Sequence, residues 1–444
     1  MDPVEAAHLL RRAEYVVRPE RLAQLTLLTR DQAVDNVLAV ETGVAIPSYV
    51  DHDIKDEGWQ QWVYAGQWWL DRMTDCPRPV LEKMTWFWHG HFTSSWDKVN
   101  SAKAMTTQNK LFRDMALGNV REMAQAMALQ PAMLYYLDNA ENVSSSPNQN
   151  FARELLELFT IGVGNYTEDD VTACARAWTG YNINWDTEEY EYHGWDHDTG
   201  QKTFLGVTQN WNGPQIIDFL LRDNATTVEQ AARLLSLKLW RFFASSTPSA
   251  QVINDLTASL VNNHMDIRPW VRTLFTHPDF YLPETMSGLV RSPIDFIVAA
   301  NYHAGFRTAV TYPNTEMVCH PEWYVEGMGQ VPFAPPNVSG WKTNGYWVNS
   351  SMMSARAEYA RHLTWMLRHD GANDLISGPN DTLIPSDVVV DTLAARFGVT
   401  LCAETRDAMI AYSQQTRVSE PWGSWWESTN LLTMMMISPE FQQA

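Results

Sequence analysis

The chain has 444 residues, 45% of them hydrophobic, enough to build a large core. It carries 32 basic against 52 acidic residues, a net charge of −20 at pH 7. No long Lys/Arg run overrides that field, which excludes a nucleic-acid backbone or an anionic membrane surface as a general partner.

The opening residues, Met1-Asp2-Pro3-Val4-Glu5, are acidic and run straight into a helical pattern. They show neither the charged nor the apolar region of a signal peptide, so a cytoplasmic location is expected. His8, Leu9, Arg12 and Ala13 begin the first helix, and Arg18-Pro19 breaks it. Residues 22–40 read as one or two helices. Pro47 and Asp51-His52-Asp53 mark a polar loop. An aromatic-rich helix follows over 59–73, with Trp62, Ala65, Trp69 and Met73 at helical spacing. Helices are predicted over 80–88, 103–117, 120–129 and 132–137, with Gly118-Asn119 as a stop and turn. After a polar Asn/Ser loop, residues 150–161 form a helix ended by Gly162. Thr167 to Asp170 makes a capping box that opens the next one.

Residues 179–213 lack a helical stripe and read as a loop and hairpin insertion. Helices resume over 214–243, 250–264, 267–275 and 293–304. A second irregular insertion, rich in Pro and Gly, covers 312–349. Helices are again predicted over 350–369, 386–397, 403–415 and 425–437. The apolar run 431–437 is too short to span a bilayer. Cys76, Cys174, Cys319 and Cys402 are widely spaced, which fits neither a disulfide framework nor a zinc knuckle. The expected fold is mainly α, a single large multi-helix domain over 1–444 with the two irregular insertions.

Two polar clusters stand in this apolar frame. One is Phe87-Trp88-His89-Gly90-His91-Phe92, and the other runs from Asn150 through Arg153, Glu154 and Glu157 to Phe159. Such groups are costly to bury unless they satisfy one another. In a continuous helix His89 and His91 would project about 200° apart. Gly90 suggests fraying, and in extended backbone the pair points to one side, where it can chelate a metal or flank a substrate. Glu154 and Glu157 share a helix face, and Arg153 is spaced to pair with Glu157. One carboxylate would then stay ionised while the other, poorly solvated, could act as acid or base. A buried ion network tying this helix to Arg176 is the structural alternative. The twenty tryptophans suit either a ligand groove or core packing.

Taken in order, these clusters resemble a large bacterial family, the domain-of-unknown-function family numbered eighteen hundred. The matching pieces include His8-Leu9-Leu10-Arg11-Arg12-Ala13, the two clusters, Tyr166 to Val171 with Arg176 and Thr179-Gly180, and His197-Asp198. They continue with Lys202 to Gly206, Pro335-Pro336-Asn337-Val338-Ser339-Gly340-Trp341, and Ser438 to Gln442. The resemblance covers essentially the whole chain. It implies a predominantly helical fold. Many relatives look exported, and many are encoded beside a second protein similar to sulfatases and phosphatases, which makes such a protein a candidate partner. Two departures matter. This sequence shows no export signal, and Phe159 stands where many relatives look to have a histidine, which weakens a metal site there.

No GxSxG, P-loop, GxGxxG or HExxH motif stands out, which argues against the commonest hydrolase, kinase, dehydrogenase and zincin sites. The expected function is acid–base chemistry, hydrolysis or elimination, on a small polar or carbohydrate-like substrate in a Trp-lined pocket. The two clusters would meet there under the two insertions. His89, His91, Arg153, Glu154 and Glu157 are the candidate catalytic residues. Asn150, Arg176, His197, Asp198, Lys202, Asn337 and Trp341 are candidates for substrate binding. Two alternatives stay open. One is a non-catalytic binding or assembly protein working with the sulfatase-like companion. The other is an enzyme that uses a divalent metal at the His-x-His pair.

Overall fold

The computed structural model describes residues 1–40, 43–46, 58–308, 318–367, 375–376, 382–420 and 425–444. The loop expected at Pro47 and 51–53, and residues 312–317 and 368–369, lie outside them.

The fold is mainly α-helical, as the 3.6-residue periodicity requires. Strand among the described residues is confined to three two-stranded pairs. Two are antiparallel hairpins in the first insertion. Tyr181–Asn184 pairs with Glu189–Tyr192, and Lys202–Phe204 pairs with Val207–Gln209. The second hairpin turns at Leu205 and Gly206, both at positive φ, as a tight hairpin requires. The third pair, parallel, joins Arg307–Thr308 to Val318–Cys319.

Helix starts follow local chemistry. Asp2 caps Pro3–Glu14 by accepting from the Val4 amide at 2.8 Å. The capping box expected at Thr167 and Asp170 opens Glu168–Ala177. One expected helix, 214–243, is interrupted. Gly213–Asp218 runs into a π-helical turn, Phe219–Asp223, and Asn224 then caps a new helix, Ala225–Phe243. Asn224 stops the first helix because its side-chain oxygen accepts from the Thr226 and Thr227 amides.

The interior consists of two apolar clusters, and the Val80–His91 helix feeds both. Val80, Leu81, Met84, Phe87 and Trp88 enter one cluster and Trp86 enters the other. Phe242, from Ala225–Phe243, packs against both. Gly58–Asp75 packs on Pro293–Ala304, which also meets Ser350–Leu367. Among the described residues no helix is long and apolar enough to cross a membrane.

Buried charge is concentrated at Glu82, on the same Val80–His91 helix. Its carboxylate, fully buried, accepts from Arg113 Nε and Nη2 at 2.8 Å each and from Trp69 Nε1 at 2.9 Å, and Arg72 also pairs with it. Burial works against the Glu82 charge, yet Arg113 and Arg72 hold its carboxyl below the usual range. This network fixes the helix that carries His89 and His91.

Candidate active site

The Val80–His91 helix does not fray at Gly90; it stays helical through both histidines. That overturns the expected fraying, on which a shared ligand for the two histidines depended. The ring of Trp341 packs beside Gly90, 3.6 Å from where a Cβ would stand, an ordinary contact distance. As helix geometry dictates, the two rings diverge. His89 is enclosed by Trp69, Trp86, Phe112, Phe333 and Trp341, and burial pushes its pKa down to about 3. Among the described residues no group of three His, Cys, Asp or Glu side chains is placed to hold a metal ion.

His91 points the other way, into the wall of a cavity of about 240 Å³. The cavity lies where the N-terminal helix, Val80–His91, Ala225–Phe243 and Pro293–Ala304 converge, and residues 339–344 of the second insertion close one side. Trp86 and Trp341 form part of that wall, their rings stacked with centroids 4.5 Å apart, and Trp347 adds a third indole. The first insertion contributes nothing to the wall, so only one of the two expected roofs is present.

The polar clusters meet here, but through backbone rather than through the two glutamates. After Asn150–Glu154 the helix widens into a π-helical turn, Leu155–Phe159. Carbonyls at a helix C-terminus have no partner within the helix. His91 Nε2 lies 3.2 Å from the Phe159 carbonyl, and Lys238 Nζ donates to the Leu158 carbonyl at 2.8 Å. Because a carbonyl only accepts, the proton of His91 belongs on Nε2, and Nδ1 presents its lone pair. Lys238 Nζ donates to that lone pair at 3.1 Å. Burial and the Lys238 charge keep His91 neutral, well below its usual pKa. Burial also lowers Lys238 to about 8.

The rest of the wall is cationic. Arg12 and Lys83 are buried in it, while Arg241 and Lys342 are exposed at its rim. Lys83 pairs with Asp295 and stands 4.2 Å above the Tyr15 ring. Burial pulls Lys83 below its ordinary value, with Asp295 opposing that shift.

The chain belongs to the family described as protein of unknown function (DUF1800). That family's model matches residues 8–443, which takes in every wall residue but Ala444. No curated protein and no solved structure matches the chain.

Within this family member, only His91 and Trp341 of the sequence-selected residues line the cavity. Arg153 does not pair with Glu157. It forms a bidentate pair with exposed Glu168, both contacts at 2.8 Å. Glu157 instead accepts from the Tyr166 hydroxyl at 2.9 Å. Glu154 is half-buried, and burial, then the Glu157 charge, raises its pKa. Asn150 bonds Asp138 at 2.9 Å. Arg176 grips Asp198 at 2.6 Å, so the ion network expected to tie Arg176 to the Glu154 helix runs to the first insertion instead. Asp198 also accepts from the Gly200 amide at 2.7 Å. Lys202 is buried and donates to the Asp198 and Gly200 carbonyls and to Asn210. These bonds staple a turn onto the helix scaffold. His197 bonds the Thr179 carbonyl at 2.8 Å and lines a separate, more open cleft with Tyr181, Tyr190 and Tyr192.

Asn337 holds its own loop by accepting from the Ser339 amide at 2.9 Å. That loop brings Gly340, at φ +75°, against the helix, where an added Cβ would stand 2.2 Å from the Gly90 carbonyl oxygen. Gly340→Ala should therefore strain the backbone and push Trp341 off Trp86. We expect a loss of roughly 2–4 kcal/mol, read by denaturant unfolding; a loss below about 0.5 kcal/mol would show that the loop yields freely.

Sequence reading missed Lys238, Arg12, Lys83, Asp295 and Tyr15. The signal for Lys238 was faint but present: one lysine inside Leu235-Ser236-Leu237-Lys238-Leu239-Trp240, where apolar neighbours on both sides of a helix imply burial.

Proposed function

We propose that this protein is an enzyme performing acid–base chemistry, hydrolysis or elimination, on a polar substrate in the Trp86–Trp341 cavity, with Lys238 as the proton acceptor. The hydrogen-bond geometry of Lys238 carries this reading. A neutral amine has two N–H groups and one lone pair. The Leu158 carbonyl and His91 Nδ1 take two donors. The lone pair is then left for a third direction, and the side chain is part of the cavity wall. His91 is a positioning residue, its tautomer fixed by the Phe159 carbonyl. A lysine lowered to about 8 is half in its basic form at pH 8 and keeps about a tenth of it at pH 7, a far larger share than an ordinary lysine and enough for a general base. The indoles of Trp86, Trp341 and Trp347 suit a substrate with apolar ring faces as well as polar groups, such as a sugar derivative.

The test needs no known substrate. Brief acetylation with acetic anhydride over pH 6–10, read by mass spectrometry, should modify Lys238 half-maximally near pH 8, against about 10.4 for an ordinary lysine. Modification of Lys238 only in step with ordinary lysines would sink the assignment.

A further inference from the structure

Residues of the cavity wall carry buried donors with no partner among the described residues. Arg12 uses Nη2 for the Thr285 and Met286 carbonyls, but its Nε and Nη1 have no partner among the described residues. Arg12 is 2% exposed, and burial lowers its pKa to about 9. The Tyr15 hydroxyl and the Trp341 indole N–H are likewise buried and unpartnered among the described residues. All three residues line the same cavity. An unsatisfied buried donor is costly, and a charged one more so.

The charge balance points the same way. Arg12, Lys83, Arg241 and Lys342 face the cavity with Asp295 as the only Asp or Glu side chain in its wall. Behind Arg12, Arg291 and Arg356 are also fully buried. None of these three arginines forms an ion pair among the described residues. A chain of net charge −20 thus gathers five basic side chains, Arg12, Lys83, Lys238, Arg241 and Lys342, around the single Asp295 side-chain carboxylate in one wall. The unpartnered Nε and Nη1 sit on different edges of the guanidinium, so each leaves a single charged donor for an acceptor oxygen.

We infer that this cavity binds the phosphoryl or sulfuryl group of its substrate, with Arg12 as the buried anchor, Tyr15 and Trp341 as neutral donors, and Arg241 and Lys342 drawing the anion in. A phosphoryl group, close to doubly charged at pH 7, answers these cations with more charge than a carboxylate, and a sulfuryl group, singly charged, answers them with three acceptor oxygens instead of two. The inference deepens the acid–base reading of the same cavity and rests on it for the anion's being part of a substrate. The binding itself is measured without turnover.

The experiment is thermal unfolding of the full chain at pH 7 in sodium phosphate or sodium sulfate, against sodium acetate and sodium chloride at equal ionic strength. Phosphate, sulfate or both should raise Tm by about 3–5 °C more than acetate at 100-fold excess over Kd. Response to phosphate alone assigns a phosphoryl group, to sulfate alone a sulfuryl group, and to both the shared chemistry. Arg12→Met should abolish the difference. If that variant fails to fold, the exposed pair Arg241→Ala with Lys342→Ala should weaken apparent affinity at least tenfold. Equal stabilisation by acetate, or an undiminished response in these variants, overturns the inference. Acetylation of Lys238 in the same samples keeps the two readings apart: anion binding with an ordinary Lys238 retains the anion site and removes the base.

Discussion

Replacing Lys238 with methionine is expected to lower turnover by roughly 10²–10⁴-fold while leaving the protein folded. Methionine keeps the length of the side chain and removes the only amine that reaches the Leu158 carbonyl and His91 Nδ1. Two stability terms oppose each other. Lys238 is lowered from 10.5 to about 8, so its burial as a cation costs about 3 kcal/mol at neutral pH, which methionine relieves. Against this, two buried acceptors lose their donor at about 1–3 kcal/mol each. The net change should lie between about 1 kcal/mol of gain and about 3 kcal/mol of loss. The pH dependence separates the terms. Between about 8 and 10.5 the unfolded lysine holds a proton that the folded one has lost, so wild-type stability rises with pH across that window. The methionine variant lacks this rise. In the same way, wild-type turnover should climb to a plateau above about pH 8. His91, Arg12, Lys83, Arg241, Lys342, Tyr15 and Asp295 share the cavity wall with Lys238. The cations among them oppose its protonation, Asp295 favours it, and neutral His91 accepts from it in either form. A variant that retains full turnover on a substrate of the wild type would remove Lys238 from the mechanism.

The helical frame was legible because apolar periodicity and end signals agree. The Thr167–Asp170 capping box and the aromatic stripe from Trp62 to Met73 both correspond to helices in the structure. The hairpin insertion was legible for the converse reason: residues 179–213 carry turn residues and no stripe. What escaped depends on tertiary context. A π-helical turn at Leu155–Phe159 has no periodic signature over five residues, and it shifts the Arg153–Glu157 spacing out of register for pairing. Gly90 reads locally as a helix breaker, yet the helix continues through it, and its carbonyl oxygen is what demands glycine at position 340, about 250 residues on. Little of the cavity was legible: of the sequence-selected residues only His91 and Trp341 line it. His91 and Trp341 were visible as polar or aromatic residues in dense motifs. Arg12, Lys83 and Lys238 sit singly on helices far apart in sequence, and no spacing rule links them. Arg12 did stand on the apolar face with His8, Leu9 and Ala13, the position where an arginine must be buried.

Glu82→Gln is expected to destabilise the fold by about 3–5 kcal/mol, the largest loss from a single isosteric change. Glutamine keeps the volume but leaves Arg113, 1% exposed, facing a neutral amide across two 2.8 Å contacts. Arg72 and the Trp69 indole lose the same partner. Because the Glu82 carboxyl is held below its usual range, its stabilisation is present above the unfolded carboxyl value and fades as pH falls through the folded one. Arg153→Ala is the contrast. Its pair with Glu168 is also bidentate, through Nη1 and Nη2 at 2.8 Å each, but lies at the surface, and its loss should cost no more than about 1 kcal/mol. Denaturant unfolding of both variants ranks burial against pairing directly; equal losses would contradict the buried network. A double change, Glu82→Met with Arg113→Met, should recover much of the loss, because it removes both charges instead of stranding one. The consequence reaches the cavity, since the Glu82 helix also positions Lys83, Trp86 and His91. In folded Glu82→Gln protein, Lys238 should therefore acetylate at higher pH as its enclosure loosens and water restores its ordinary basicity. An unchanged Lys238 profile would show that the network stabilises the fold without holding the site.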